Sequence, residues 1–403
     1  MSEGADDDSG RKENGKVGDT EMRPEDITVK PLEMEEWLFE QLWAAYMLAR
    51  RNKRATADEQ KFEYSAPENI KTLTQDIMNR RYKPGRGIAF ITHRPVIREI
   101  FAAPFRDRLV HHFLFNMNAD WWDRRFIGDS YSCRKNKGTW YGVQRLHKQI
   151  AEATNGFKDE AFIIKLDLKG YFMSLKRSRL YERIAWGLDR QFPEGGEIYK
   201  VCKYLWNEVI FDDPTKNVTR RDSLRAWDDL PDSKSLFCQP PGQGIVIGNL
   251  SSQLLSNIYL DQLDRYVKYD LGYKWYGRYV DDFYIIVRPE RYEQALKDID
   301  AIEGFLMMIE LILHDKKRYI QPVSHGVPFL GTVVYPGRIY PGERIIKNFR
   351  QALKHYNEEK VDADVIISFV GQMKHVKGQK LKYKLLEEAG WNYARTESGL
   401  IVV

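Results

Sequence analysis

Cysteine is scarce. Cys133, Cys202 and Cys238 are the only three among 403 residues, far apart and without the paired spacing of a zinc site. They are expected to be inert thiols in a reducing cytoplasm. Long apolar runs are absent as well: the best, Phe305 to Leu313, is short and contains Glu310, against the roughly 18 apolar residues of a membrane helix. No membrane partner is therefore expected. The first residues are acidic and polar, which argues against a secretory signal. No internal repeat is visible, so a solenoid is not expected.

What the chain does have is aromatic mass and an uneven charge. With 23 Tyr, 19 Phe and 10 Trp it can fill a large core shared by two or three structural units. Residues 1–30 hold nine acidic and five basic side chains; the total charge is +5, so the remainder carries +9. A mildly basic body is compatible with a polyanionic partner, although many basic proteins bind none. The acidic residues 1–30 are too polar to build a core and are expected to be disordered.

The pattern downstream alternates helices and short strands. Helical periodicity runs from Met34 to about Arg51, again from Pro67 to Asn79, and again after Pro104. Residues 86–101 contain short extended candidates. Ala161 to Asp167 reads as a buried strand ending on a carboxylate. Helices are expected over about 176–210, 250–269 and 290–310, with strands near 317–322 and 328–335. Residues 211–244, rich in Pro, Asp, Ser and Gly, form a long loop of the kind that is usually functional or disordered. Residues 344–403 are expected to be mainly helical, with eleven Lys and Arg against seven Asp and Glu.

The chemistry concentrates at Trp275 to Val287, where Asp281-Asp282 sits at the tip of an apolar hairpin. Adjacent carboxylates repel unless a cation lies between them, and a divalent metal suits that role. Asp167 closes the earlier strand and offers a third carboxylate. Strands ending side by side would bring the three within reach of two Mg²⁺ ions, with Mn²⁺ as an alternative. Such a site activates a 3′-hydroxyl and clamps a leaving pyrophosphate. Ordinary turn chemistry also places Asp-Asp at hairpin tips.

Four ordered blocks carry a resemblance: Asp167-Leu-Lys-Gly-Tyr-Phe172, Gly244-Ile-Val-Ile-Gly-Asn-Leu-Ser-Ser-Gln253, Tyr279-Val-Asp-Asp282 and Phe329-Leu-Gly331. They are similar to palm motifs A, B, C and E of reverse transcriptases. Arg98 to Arg108 and Phe126 to Leu146 resemble the fingers blocks of the bacterial branch, related to group II intron enzymes. Ile247-Gly-Asn-Leu-Ser-Ser-Gln253 replaces the usual Gln-Gly and Ser-Pro pattern and resembles diversity-generating retroelements, as do Asp213 to Asn217 and Ser233 to Gly242. Gln243-Gly244 keeps a Gln-Gly dipeptide just ahead of the altered motif. No maturase and endonuclease extension follows the palm, which argues against a full group II protein.

The resemblance implies an α+β right-hand polymerase fold. The N-terminal helices and fingers would span 31–160, an antiparallel-sheet palm 161–343, and a basic helical thumb 344–403. Residues 173–243 would be a helical and loop insertion belonging partly to the fingers. The implied activity is RNA-directed DNA synthesis in a cytoplasmic, bacterial or phage-encoded enzyme, with adenine-directed errors that diversify a target gene. Asp167, Asp281 and Asp282 would hold the metal ions. Phe172 would be the gate against ribose, with core packing as its ordinary alternative. Arg98, helped by Arg94, would clamp the triphosphate. Lys317 would protonate departing pyrophosphate, with Lys316 as a near-equal rival.

Ile247, Gly248, Ser252 and Gln253 would lie under the nascent base pair, Gly248 allowing close backbone approach. Phe329, Leu330 and Gly331 would grip the primer. Lys374, Lys377, Lys380, Lys382 and Lys384, with His375, would track duplex phosphates; a solvated helix face is the competing account. Implied partners are a structured template RNA, the RNA–DNA duplex, dNTPs and a small oligomeric accessory variability protein. Two other functions fit parts of this pattern: a phage-defence or retron-like reverse transcriptase, and a non-catalytic RNA-binding scaffold.

Overall fold

A computed structural model describes residues 23–30, 32–51, 56–93, 96–358, 360–391, 393–396 and 399–402. The first 22 residues of the expected disordered tail lie outside them. The rest of that tail is docked: Pro24–Asp26 forms a 3-10 turn, Glu25 pairs with Arg124, and Ile27 and Val29 pack on the main core. Two apolar side chains in an otherwise polar stretch are enough to seat it.

Three helices follow, α1 (Met34–Ala49), α2 (Ala57–Tyr64) and α3 (Ala66–Met78). Strands β1 (Gly87–Thr92) and β2 (Arg98–Ala102) form an antiparallel hairpin ahead of α4 (Phe105–Asp123) and α5 (Thr139–Ala153). Next come β3 (Phe162–Asp167), the single turn α6 (Tyr171–Ser174), α7 (Arg177–Gln191) and α8 (Gly196–Phe211).

The long loop is less irregular than its composition predicts. Its strand β4 (Val218–Arg220) pairs in parallel with β1, and three 3-10 turns follow. The cause is Glu99 on β2, which is buried yet fully engaged. Its carboxylate accepts from Trp227 Nε1 at 2.6 Å, Ser235 Oγ at 2.9 Å and the Leu236 amide at 2.5 Å. Charge-assisted bonds of this kind are stronger than neutral ones, so one side chain secures a segment that has little core of its own.

Beyond it lie α9 (Leu250–Arg265), β5 (Trp275–Tyr279), β6 (Asp282–Val287) and α10 (Tyr292–Met308). The helix expected to reach residue 269 leaves α geometry at Arg265 and ends in a π-turn, Tyr266–Asp270. Strands β7 (Tyr319–Pro322), β8 (Val327–Phe329), β9 (Thr332–Tyr335) and β10 (Arg338–Pro341) complete the middle of the chain. Helices α11 (Glu343–Asn357), α12 (Ala363–Gln372) and α13 (Gln379–Glu388) then form a small bundle around Phe349, Leu353, Ile366, Met373 and Leu386.

The C-terminal region is not helical throughout. Gly390, at φ +76°, lies just past α13, and β11 (Tyr393–Thr396) pairs antiparallel with β12 (Gly399–Val402). The β-branched pair Ile401-Val402 favours strand over helix there.

The architecture is α+β with mainly antiparallel sheets. Its centre is a four-stranded antiparallel sheet in the order β5-β6-β3-β7. Alternation along the strands sends Ile164, Leu166, Phe283 and Ile285 to one core, and Ile163, Tyr284 and Ile286 to the other. Both faces are therefore covered, one largely by α9 and α10, the other by α5 and the β8–β10 sheet. Among the described residues, no helix is long and apolar enough to cross a membrane.

Candidate active site

The acidic site follows from strand register. Antiparallel pairing of β3 with β6 sets Asp167 directly opposite Asp282, so their side chains leave the same face of the sheet. Asp281 occupies the two-residue turn between β5 and β6. Backbone bonds fix the group from both sides: the Leu168 amide donates to Asp281 O at 3.3 Å, and the His314 amide donates to Asp167 O at 2.8 Å. Strand pairing thus brings Asp167 to the same sheet end as Asp281 and Asp282, which lie more than a hundred residues later.

Two lysines answer part of this charge. Lys317 Nζ lies 2.7 Å from Asp167 Oδ1, and Lys165 Nζ lies 3.3 Å from Asp282 Oδ2. Lys165 precedes Asp167 by two residues and so shares its face; it also donates to Pro328 O at 2.7 Å. It ties Asp282 to β8, just before the β8–β9 turn. Among the described residues, Asp281 has no such neighbour at contact distance. Burial, with the charge of Asp167 and then Asp282, pushes its carboxyl up to about 6. Burial also raises Asp282, against the pull of Lys165.

A carboxyl with a raised pKa in the folded state binds its proton there before the unfolded chain does. Its contribution to stability is full at low pH and is lost as pH rises through about 6. In EDTA, the melting temperature of the wild type relative to Asp281→Asn should therefore fall between pH 5 and pH 7.5. A constant difference across that range would refute the shifted carboxyl.

Arg278 sets the turn that carries Asp281. It is completely buried on β5, and its guanidinium forks onto Asp264 with Nε and Nη2 both at 2.7 Å. Its Nη1 donates to Val280 O at 2.9 Å. Val280 needs that restraint, since it adopts φ +57°, a region that β-branched residues avoid. Gly277 is equally constrained: a Cβ there would lie 2.4 Å from the Tyr131 hydroxyl and 2.5 Å from that of Tyr284. Sequence patterning did not single out Lys165, Arg278 or Glu99, because their partners are far away along the chain.

The other expected site residues are distributed around this end. Phe172 is half-buried next to Tyr171, against both the main core and the cluster beneath β2. Its carbonyl accepts from the Ile245 amide at 3.0 Å, which joins the Asp167 block to the segment before α9. Ile247 O accepts from the Phe101 amide at 3.0 Å, so this segment also leans on β2. Gly248 has φ +130°, and a Cβ would sit 2.7 Å from Phe101 O. The close approach it permits is thus to β2.

Ser252 is buried and Gln253 exposed on the first turn of α9. Beside them Ser251 Oγ meets His111 Nδ1 at 2.8 Å; burial holds that imidazole down to about 4, hence neutral. Arg98 is exposed at the start of β2, opposite Thr92. Arg94 lies outside the described residues.

Lys316 and Lys317 are both exposed; Lys317 pairs with Asp167, and the Lys316 amide donates to His314 Nδ1 at 3.3 Å. Phe329 is buried edge-on to Tyr284, with Leu330 and Gly331 at φ +48° and +84° in a two-residue turn. That geometry is a type I′ hairpin and demands the glycine. Among the C-terminal lysines, Lys374, Lys377, Lys380 and Lys384 are exposed. Lys382 is not: it is buried in the bundle over Tyr383, so it is unavailable to phosphates.

The donor set suits a hard divalent cation, since it offers carboxylate oxygens only. Among the described residues no three acidic, His or Cys side chains converge as a metal cluster. The lysines occupy oxygens of Asp167 and Asp282, and a cation would take over their role. No family profile matches the chain, and no curated protein matches its sequence.

Proposed function

We propose that this chain is an RNA-directed DNA polymerase of right-hand architecture, of the kind that diversifies a gene through error-prone copying of a template RNA. The observation that carries the reading is the register that sets Asp167 against Asp282, with Asp281 beside them. Three carboxylates on one sheet end, with Asp281 pushed up by burial and by its neighbours, form a site waiting for cationic charge. Mg²⁺ or Mn²⁺, when held by Asp167, Asp281 and Asp282, would supply the Lewis acid for attack of a primer 3′-hydroxyl on a dNTP.

The remaining roles belong to the chain itself. The central sheet acts as palm, the β1–β2 hairpin with its neighbours as fingers, and α11 to α13 as thumb. Arg98 neutralises triphosphate oxygens from β2. Phe172 closes the floor beneath the sugar. Gln253, exposed at the start of α9, meets the template side, and the Phe329-Leu330-Gly331 turn supports the primer end. Lys165 is a positioning residue that links β8, just before this turn, to Asp282. Lys317 balances Asp167 and is the nearest cation for a departing pyrophosphate. The partners in this reading are the template RNA, the growing RNA–DNA duplex and a small accessory protein.

The test is a dNTP and rNTP competition on an RNA template. Phe172→Ala should raise ribonucleotide incorporation about tenfold or more, because removal of the ring removes the clash that discriminates. Unchanged discrimination would remove Phe172 from the gate. Sequencing of the cDNA should show errors concentrated opposite template adenines; uniformly accurate copying would favour a phage-defence enzyme.

A further inference from the structure

The far end of α9 carries a second cationic feature. Arg265, in its last turn, stands roughly 22 Å from Leu250 at 1.5 Å per residue. Its guanidinium donates to Arg125 O and pairs with Asp261 at 2.9 Å. Asp261 also holds Arg183 at 3.5 Å. Arg183 and Arg190 both lie over the ring of Trp186, at 4.8 and 4.2 Å from its centroid. Trp186 packs against Trp121 at 6.3 Å, and Arg125 is flat against Trp121 at 3.4 Å. Arg124 adjoins Arg125 and is paired with Glu25.

Five arginines from α7, α9 and the end of α4 thus form one connected surface, with Asp261 and Glu25 as their direct carboxylate partners among the described residues. Asp261 is buried, whereas Arg124, Arg190 and Arg265 are exposed. Like charges brought this close repel. Burial and the charge of Arg124 weaken the hold of Arg125 on its proton; burial, with Arg265 and Arg190, does the same to Arg183. Arg183 Nε is buried and donates to no partner among the described residues.

We infer that this Arg and Trp surface is a second polyanion-binding face, built for the phosphate backbone of folded RNA. Guanidiniums seated over the indoles lose rotamer freedom, which leaves their N–H edges poised for bidentate bonds to phosphate oxygens. The half-exposed face of Trp186 accepts an unpaired base, as sequence-tolerant RNA surfaces do. An acidic peptide would use the charge but not the ring.

The test is salt-dependent binding of a labelled, blunt RNA hairpin to the full chain. Arg125→Gln with Arg190→Gln should weaken binding about tenfold or more at physiological salt, and lower the log–log salt slope by about 2. Trp186→Leu should weaken binding to a hairpin with an unpaired loop more than to a fully paired duplex. Extension of a short, pre-annealed template–primer should be unchanged in all three substitutions.

Asp281→Asn should bind the hairpin as the wild type does, so the face can stand or fall independently of the polymerase reading. Unaltered hairpin affinity and slope in the double arginine variant would overturn the inference. So would a loss of polyglutamate binding in that variant without any loss of RNA binding, which would assign the face to an acidic protein. Circular dichroism and melting of each variant separate these outcomes from misfolding.

Discussion

Arg278→Met should destabilise the protein by about 3–5 kcal/mol, the usual cost of removing one partner of a buried ion pair. The guanidinium is completely buried and spans Asp264, Asn257, Ser130 and Val280 O. Methionine has similar length, so the loss is electrostatic rather than a large cavity, and Asp264 is left as an unmatched charge beside Tyr276. Urea unfolding measures the effect. Arg278→Lys should recover only part of it, because an ammonium cannot fork onto both carboxylate oxygens. A loss below about 1 kcal/mol for the methionine variant would contradict the account of the turn. Where the variant folds at low temperature, Val280 O loses its Arg278 donor and the Asp281 turn is released, so on the proposed function synthesis should fall as well.

Asp281→Asn is expected to act in opposite directions on stability and activity. Asp281 is crowded by Asp167 and Asp282 and pushed up by burial. Removing its charge relieves repulsion, so the metal-free protein at pH 7.5 should unfold at an equal or higher temperature. On the proposed function, DNA synthesis should drop by about a thousandfold or more, since Asp281 would be a ligand for the cations that stabilise the transition state. This is the pattern of a functional site held at a stability cost. A variant that is less stable yet still active would show that the carboxylate serves the fold.

The legible parts of this fold are those written locally. Phe283 to Val287 is a continuous β-branched and aromatic run, Ala161 to Leu166 an apolar run broken only by Lys165, and a strand covered on both faces needs little else. Asp281-Asp282 between such runs marks a hairpin tip. Parity then places Asp167 and Asp282 on one face once the strands are paired.

What sequence alone did not yield depends on distant partners. The Pro-rich and Asp-rich segment after α8 contains β4 because Glu99, more than a hundred residues earlier, binds its other end. Arg278 reads as an ordinary polar residue in a strand until Asp264 is packed beneath it. Lys165 reads as a solvated break in an apolar strand, whereas it links Asp282 to Pro328 O. Lys382 looks like its neighbours in a lysine-rich helix, yet the rotation of α13 buries it. The terminal hairpin was masked by the strong helical periodicity that precedes it.

RNA-templated primer extension tests the central claim most directly. The purified full chain is incubated with an RNA template, an annealed primer and dNTPs, in Mg²⁺ and then in EDTA, beside the double variant Asp281→Asn, Asp282→Asn. The reading predicts extension by the wild type that requires the divalent cation, and none above background by a folded double variant. Absence of wild-type extension on any annealed RNA template, or equal extension by the double variant, would contradict it.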